Sequence, residues 1–171
     1  MVLCGVTNKS IVSAIANSGA KSVGLSGKDG NLITAKRLNK VDDNSDSNVE
    51  KAIDLGYVGE PEKIDPQVIH ALINEKMIPV IAPVGIGTDG LTYNINADTA
   101  AGSISAAIKA SRMIMLTDVA GVLDQNGKLI PELTIVEAQE LIKNKIVVGG
   151  MIPKIKTCID AVLGGAEASV I

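Results

Sequence analysis

Apolar residues recur along the chain with periods that switch between helix and strand. A three-to-four-residue spacing predicts a helix from Asn8 or Lys9 to Ala16, and a short apolar run predicts a strand over residues 22–25. Residues 32–38 alternate apolar and polar side chains, which is typical of a half-exposed strand outside the main sheet. Residues 39–51 are polar and acidic, and we predict a mobile surface loop there.

The same alternation continues to the end of the chain. Asp65 before Pro66 predicts the start of a helix, because an acidic cap often precedes proline at the first helical position. Thr134 and Glu137 form the spacing of a capping box. The remaining elements are predicted as strands over 77–82, 92–95, 112–116 and 168–171 and as helices over 97–110, 135–143 and 153–163. Strands that alternate with helices predict an α/β fold, a three-layer αβα sandwich with a mostly parallel open sheet.

Length and composition agree with this fold class. The chain has 171 residues, 46% of them hydrophobic, which is enough for one core, so we predict a single domain over residues 1–171. The apolar runs at the two ends have no turn signal, and we expect the domain to be incomplete at both ends. Aliphatic side chains supply almost all of the apolar mass, since the chain has no Phe, no Trp and two Tyr. Such a composition suits a buried parallel sheet.

Charge and composition also argue against several classes of partner. A net charge of −3 without a basic cluster, together with so few aromatic residues, disfavours nucleic acid. The apolar runs are too short to cross a bilayer and no signal peptide is recognisable, so we expect a cytoplasmic protein without a membrane partner. Cys4 and Cys158 lie far apart without neighbouring ligand residues, which favours reduced thiols over a metal site or a disulfide.

The first candidate site is the start of the helix predicted over 97–110. Asn96 is placed to cap this helix, and Asp98 then falls in its first turn, where the helix dipole and free amides favour a carboxylate. A carboxylate held there can orient lysine side chains. The alternative is an acid that serves only to stabilise the start of the helix.

The second candidate is the segment after the apolar run 113–116. This run delivers Thr117 and Asp118 at the carboxyl end of a strand, where open α/β sheets place their ligands. Gly121 would let the backbone approach a bound group closely. The alternative is an ordinary turn, because Asp and Gly are common turn residues.

The third candidate is a lysine behind paired glycines. Gly149 and Gly150 precede a helix in which Pro153 suits the first position and Lys154 follows directly. Such a helix start attracts phosphate oxygens. The alternative is a solvated lysine, which the helix dipole slightly disfavours at this end.

These three motifs, in this order, resemble the acetylglutamate kinases of the amino acid kinase family, and the similarity runs from the first residues to Lys154. The resemblance implies transfer of the ATP γ-phosphate to the side-chain carboxylate of N-acetyl-L-glutamate in arginine biosynthesis. It implies that Lys154 stabilises the transition state, that Asp98 organises the catalytic lysines and that Asn94 binds acetylglutamate. The implied nucleotide-binding residues are Asp118, Val119, Ala120, Gly121, Val122 and Leu123, with Ile146, Val147 and Val148.

The resemblance also implies ATP with Mg²⁺ as co-substrate, no dedicated metal site, no tightly bound cofactor, and a homo-oligomer. Members of the family begin with a strand that bears a second catalytic lysine, a glycine-rich loop and a substrate-binding arginine, and none of these precedes Met1. We therefore expect the 171-residue chain by itself to be nearly inactive as a kinase. Two alternatives stay open: a non-catalytic nucleotide- or amino-acid-binding module of the same fold, and a related kinase with another acceptor.

Overall fold

A computed structural model describes residues 2–41 and 52–171 and divides the chain into two compact units, Met1–Ala100 and Ala101–Ile171, where the sequence predicted one domain. A π-helical segment, Val2–Thr7, precedes the first α-helix, and Asp29–Asn31 form a 3₁₀ turn. The helices are α1 (Asn8–Asn17), α2 (Gln67–Asn74), α3 (Ala97–Ala107), α4 (Ile135–Lys143) and α5 (Met151–Leu163). The strands are β1 (Ser22–Ser26), β2 (Ile33–Val41), β3 (Ala52–Ile64), β4 (Ile78–Ala82), β5 (Val84–Gly87), β6 (Thr92–Ile95), β7 (Met113–Ile114) and β8 (Ser169–Val170).

The α/β class with parallel strands is confirmed. The first unit contains the parallel pair β1 and β4, and the second contains the parallel pair β7 and β8. Helix α3 begins at Ala97 and therefore continues across the boundary between the units. No helix among residues 2–41 and 52–171 is long and apolar enough to cross a membrane.

A buried asparagine ties α1 to the parallel pair of the first unit. Asn8, the first residue of α1, is 3% exposed, and its Nδ2 donates hydrogen bonds to the carbonyl oxygens of Leu25 at 3.1 Å and Val80 at 2.8 Å. Lys9 Nζ donates to the Gly24 carbonyl at 3.0 Å. A β-carbon at position 24 would collide with the Asn8 side chain, so glycine is required there for the helix to approach the strand. The start of α1 is thus fixed by polar contacts to both strands.

The first unit also contains a small closed barrel, formed by β2, β3, β6 and β5 in that order. The strand predicted over 32–38 is confirmed as β2, and it belongs to this barrel, where it pairs antiparallel with β3 and parallel with β5. The prediction of a loop over 39–51 is wrong for residues 39–41, because β2 continues to Val41 and pairs with the beginning of β3. Residues 42–51 of that prediction lie outside the described residues. The pairing with β3 prolongs β2, and local composition does not reveal such a partner.

A tyrosine–aspartate pair lies on the barrel. The Tyr93 hydroxyl donates to Asp89 Oδ2 at 2.6 Å, and the Leu91 N–H donates to Asp89 Oδ1 at 2.9 Å. The hydrogen bond from Tyr93, followed by that from Leu91, holds the pKa of Asp89 below its ordinary value of 3.8. The same hydrogen bond, with desolvation, raises the pKa of Tyr93 above its ordinary value of 10.0. The pair therefore links the stability of the first unit to pH.

We expect this pair to contribute stability over a defined pH range. Because the folded-state pKa of Asp89 is lowered, its contribution is present above the unfolded pKa, near 3.8, and is lost as pH falls through the folded pKa. The raised pKa of Tyr93 gives a contribution that is present below 10.0 and is lost as pH rises through the folded pKa. Asp89→Asn should flatten the acid side of a urea-unfolding profile. Glu62→Gln, which removes an exposed carboxylate on β3, is the control, and equal profiles for the two variants would contradict the prediction.

The second unit packs its helices on one face of its strand pair. Met113 and Met115 are buried against Ala161 and Ala166, whereas Ile114 and Leu116 between and after them are exposed, Leu116 at 90%. The strand predicted over 112–116 is apolar at every position from 113 to 116 but buries only alternate residues, and its regular part is shorter than predicted. A strand has two faces, and an apolar sequence does not determine that both are covered.

Helices α3 and α5 run in the same direction in the second unit. A β-carbon at Gly102 of α3 would lie 2.7 Å from Thr157 Cγ2 of α5, and a β-carbon at Gly164 would lie 2.8 Å from Ala106 Cβ of α3. The contacts of Gly102 and Ala106, in that order along α3, are therefore with Thr157 and Gly164, in that order along α5 and its C-terminal cap. The two helices are therefore parallel where they are in contact.

Helix α4 confirms the predicted capping box. The Thr134 hydroxyl accepts from the Glu137 N–H at 3.2 Å, and the Thr134 N–H donates to Glu137 Oε2 at 2.7 Å. The hydrogen bond from the Thr134 N–H, followed by one that the Thr134 hydroxyl donates to Glu137 Oε2 at 2.7 Å, holds the pKa of Glu137 below its ordinary value. The helix has the bounds that the sequence predicted.

Candidate functional site

Lys154 lies in the first turn of α5 and reaches the end of a strand. The helix begins at Met151, two residues earlier than predicted, so Pro153 occupies the third helical position and not the first. Proline is tolerated there because the first N–H groups of a helix have no partner within it. Lys154 is half-buried, and its Nζ lies 4.0 Å from the Met115 sulfur. The ammonium group is therefore at the carboxyl end of β7.

The paired glycines leave the backbone in front of α5 accessible. Gly149 has φ +59°, a conformation that favours glycine, and Gly150 caps the helix. No other group approaches within 4 Å of the place where a β-carbon would lie at either position. The positive end of the helix dipole and the Lys154 ammonium together provide positive charge suited to an anion.

The segment after β7 places an acid at the same edge of the sheet. Asp118 is exposed, and its Oδ1 accepts a hydrogen bond from the Thr117 hydroxyl at 3.2 Å. Gly121 has φ +133°, and a β-carbon there would lie 2.8 Å from Leu129 Cδ1. The sequence predicted that Gly121 allows close approach to a bound group. In the structure, the close approach is to the Leu129 side chain.

Two of the predicted nucleotide-binding residues are core residues. Val122 and Val147 are buried, Val147 at 4% exposure, and both pack with Ile155 and Ile159 of α5. Any contact that Val122 or Val147 makes with a nucleotide would have to involve the backbone. Their side chains instead anchor the two loops on α5. Gly121 is buried as well, and the other six predicted residues are exposed or half-buried: Asp118, Val119, Ala120, Leu123, Ile146 and, at 66%, Val148.

The start of α3 has the predicted cap. Asn96 Oδ1 accepts from the Thr99 N–H at 3.2 Å, which satisfies an amide at the helix start. Asp98 lies in the first turn and is half-buried. Asn94 is exposed in β6, where it pairs with Val58 and Val84. Asn94 and Asp98 belong to the first unit and Lys154 to the second, so the convergence of Asp98 and Lys154 remains a prediction.

A cleft of about 590 Å³ lies in the second unit, on another side of α5. It is lined by Ile155, Cys158 and Ile159 of α5, by residues 129–135, by residues 120–122 of the predicted nucleotide-binding segment, and by the chain around β8. Neither Lys154 nor Asp118 lines it. The sequence did not predict this cleft, and it shares only residues 120–122 with the predicted nucleotide-binding segment. The sequence reasoning also did not predict the contacts of Met115, Gly102 and Thr157 near the site. Of these residues only Gly102 could have been noticed in the sequence, because glycine is unusual within a helix.

A lysine in the first turn of a helix, with its ammonium group at the carboxyl end of a parallel strand, is an arrangement suited to binding phosphate groups, as in small-molecule kinases. The whole chain, residues 1–171, matches the model of the amino acid kinase family, and the chain belongs to that family.

Among its relatives, an acetylglutamate kinase of Gluconobacter oxydans (strain 621H) is 59% identical over 171 residues, which are 100% of this chain and 58% of that protein. The chain thus spans somewhat more than half the length of that relative.

Solved structures agree with the family. The smu.665 protein of Streptococcus mutans UA159 has a TM-score of 0.77 and 28% sequence identity, over 96% of this chain and 62% of that one. The N-acetylglutamate synthase of Neisseria gonorrhoeae, complexed with coenzyme A and N-acetyl-glutamate, has a TM-score of 0.78 and 24% identity, over 95% and 34% of the two chains. The second similarity is one of fold alone.

Proposed function

We propose that this chain carries the phosphoryl-transfer site of an acetylglutamate kinase. The γ-phosphoryl group of ATP would move to an oxygen of the side-chain carboxylate of N-acetyl-L-glutamate, giving ADP and an acyl phosphate. The observation that carries the proposal is the 59% identity over the whole chain to a protein named acetylglutamate kinase. The position of the Lys154 ammonium at the carboxyl end of β7 supports it.

Lys154 would neutralise negative charge on the transferring phosphoryl group. Little covalent chemistry is required of the protein in such a reaction, which depends on positioning and on charge stabilisation. Lys154 lies in the first turn of α5, behind the open helix start at Gly149 and Gly150, where the positive end of the helix dipole favours phosphate oxygens. These groups form one positive pocket for the phosphates.

Asp98 would orient the Lys154 side chain from the start of α3. Gly102 and Thr157 are in contact between α3 and α5, and the two helices are parallel. Following the resemblance, we propose that the Asp98 carboxylate, held in the first turn of α3, organises the catalytic lysine side chains.

The other roles follow the same proposal. Asn94 would bind acetylglutamate, and the loop of residues 118–123 would line the nucleotide site together with residues 146–148. Magnesium would enter bound to the ATP phosphates, as Mg²⁺ usually binds through few protein ligands. Among the described residues, no three His, Cys, Asp or Glu side chains form a group that could hold a metal ion.

The experiment uses the 171-residue chain in excess over radiolabelled ATP with Mg²⁺, so that a single slow turnover is measured. Hydroxylamine traps the acyl phosphate formed from N-acetyl-L-glutamate, and L-glutamate and L-aspartate are the competing acceptors. We expect trapped product with N-acetyl-L-glutamate only. Calorimetric binding of MgATP without any product would favour the non-catalytic module, product with another acceptor would change the substrate, and no binding of MgATP would overturn the proposal.

A further inference from the structure

Glycine in the middle of α3 requires an explanation, because glycine is among the poorest helix formers. Gly102 is buried, and a β-carbon there would lie 2.7 Å from Thr157 Cγ2 and 3.4 Å from the Thr157 carbonyl oxygen. Carbon atoms pack at about 3.5–4.0 Å, so even alanine at position 102 would push α3 and α5 apart. The absence of a side chain at position 102 thus sets how closely the two helices approach.

This contact lies close to the candidate site. Thr157 follows Lys154 by three residues, which is less than one turn of α5. The other close contact, between Gly164 and Ala106, lies ten residues after Lys154, about 15 Å further along the axis. A change at Gly102 would therefore move the first turn of α5, whereas a change at Gly164 would move its far end.

We propose that Gly102 is a positioning residue for phosphoryl transfer. By allowing α5 to approach α3, it sets where the Lys154 ammonium stands relative to the γ-phosphate. This inference rests on the proposed function, since it assigns Lys154 a phosphate. A misplacement of about 1 Å can cost roughly 10²-fold in rate, so a small shift of the helix is sufficient.

The test compares Gly102→Ala with the native chain in two measurements. The first is the ratio of the MgADP to the MgATP dissociation constant from calorimetry, which reports contacts to the γ-phosphate. The second is the single-turnover rate of trapped acyl phosphate. We expect the preference for MgATP to fall roughly tenfold, as when one charge-assisted hydrogen bond is lost, with a still larger fall in rate. Thr157→Ser removes Cγ2, so adding it to Gly102→Ala should restore most of the preference.

Gly164→Ala is the matched control, because its β-carbon would lie 2.8 Å from Ala106 Cβ in the same pair of helices. We expect a similar fall in melting temperature and an unchanged preference for MgATP. If Gly102→Ala keeps the native preference for MgATP over MgADP, Gly102 has only a structural role and the inference is overturned. The same conclusion follows if both glycine variants lose this preference equally. A native chain that binds no MgATP would overturn the proposed function itself, and this inference with it.

Discussion

Replacement of Lys154 by alanine is expected to lower the single-turnover rate of acyl phosphate formation by roughly 10²–10³-fold, the usual cost of removing one group that stabilises charge in the transition state. The reason is the position of its ammonium group, 4.0 Å from the Met115 sulfur at the carboxyl end of β7 and beside an open helix start. Binding of MgATP should weaken much less than the rate falls, because the charge of the transferring group is contacted most strongly in the transition state. Rapid quench with hydroxylamine trapping measures the rate, and calorimetry measures the binding.

Lys156→Ala provides the control for this prediction. Lys156 is exposed on the same helix, two residues further on, so its removal changes the net charge of the chain by the same amount. We expect it to leave both the rate and the dissociation constant close to the native values. Equal losses in the two lysine variants would mean that overall charge matters and not a placed ammonium group, and the catalytic role of Lys154 would have to be abandoned.

The largest expected effect on stability follows from replacing Asn8 by aspartate. The amide nitrogen of Asn8 donates to two carbonyl oxygens, of Leu25 and Val80, inside the first unit, while its Oδ1 is buried without a hydrogen-bond partner. A carboxylate would have the same shape but would turn two attractive contacts into repulsive ones at a site with little water. We expect the free energy of unfolding to fall by about 3–5 kcal/mol at neutral pH, as for other unpaired buried charges.

The pH dependence of this variant distinguishes charge from shape. Burial raises the pKa of a carboxyl group, so the loss of stability should be greatest above its ordinary pKa and should shrink as pH falls towards about 4. Urea unfolding of the native chain and Asn8→Asp at several pH values gives the difference. Asn17→Asp, at the exposed end of α1, should cost about 1 kcal/mol or less. A penalty for Asn8→Asp that does not change with pH would exclude the electrostatic explanation.

Local signals in the sequence predicted several elements correctly. Helix α4 has its predicted bounds, because Thr134 and Glu137 satisfy each other's backbone amides without help from the rest of the fold. Asn96 likewise caps α3 through a local contact, because its side chain accepts a hydrogen bond from the Thr99 N–H. The three motifs that carry the resemblance are also short contiguous segments, and this is why the family can be inferred from the amino-acid sequence alone.

Other features depended on partners that are distant in the sequence. Helix α5 begins two residues before the predicted proline, because proline is tolerated throughout the first turn. The burial of the Val122 and Val147 side chains against α5 was also not predicted, because an apolar residue in a loop can be buried or exposed and only the packing of the loop against a helix decides between the two. Their place beside a nucleotide stays a prediction.

The sequence by itself determined the α/β class, the family, and the residue types that could handle a phosphoryl group, since periodicity, caps and contiguous motifs are local properties of the chain. The tertiary structure decided the closed barrel, the exposed face of β7 and the close approach of α3 to α5. The physical reason is that strand pairing, burial and helix spacing are set by contacts between residues such as Gly102 and Thr157, which lie 55 positions apart in the sequence. The identity of either residue in the sequence does not indicate that the other will be its contact in the folded chain.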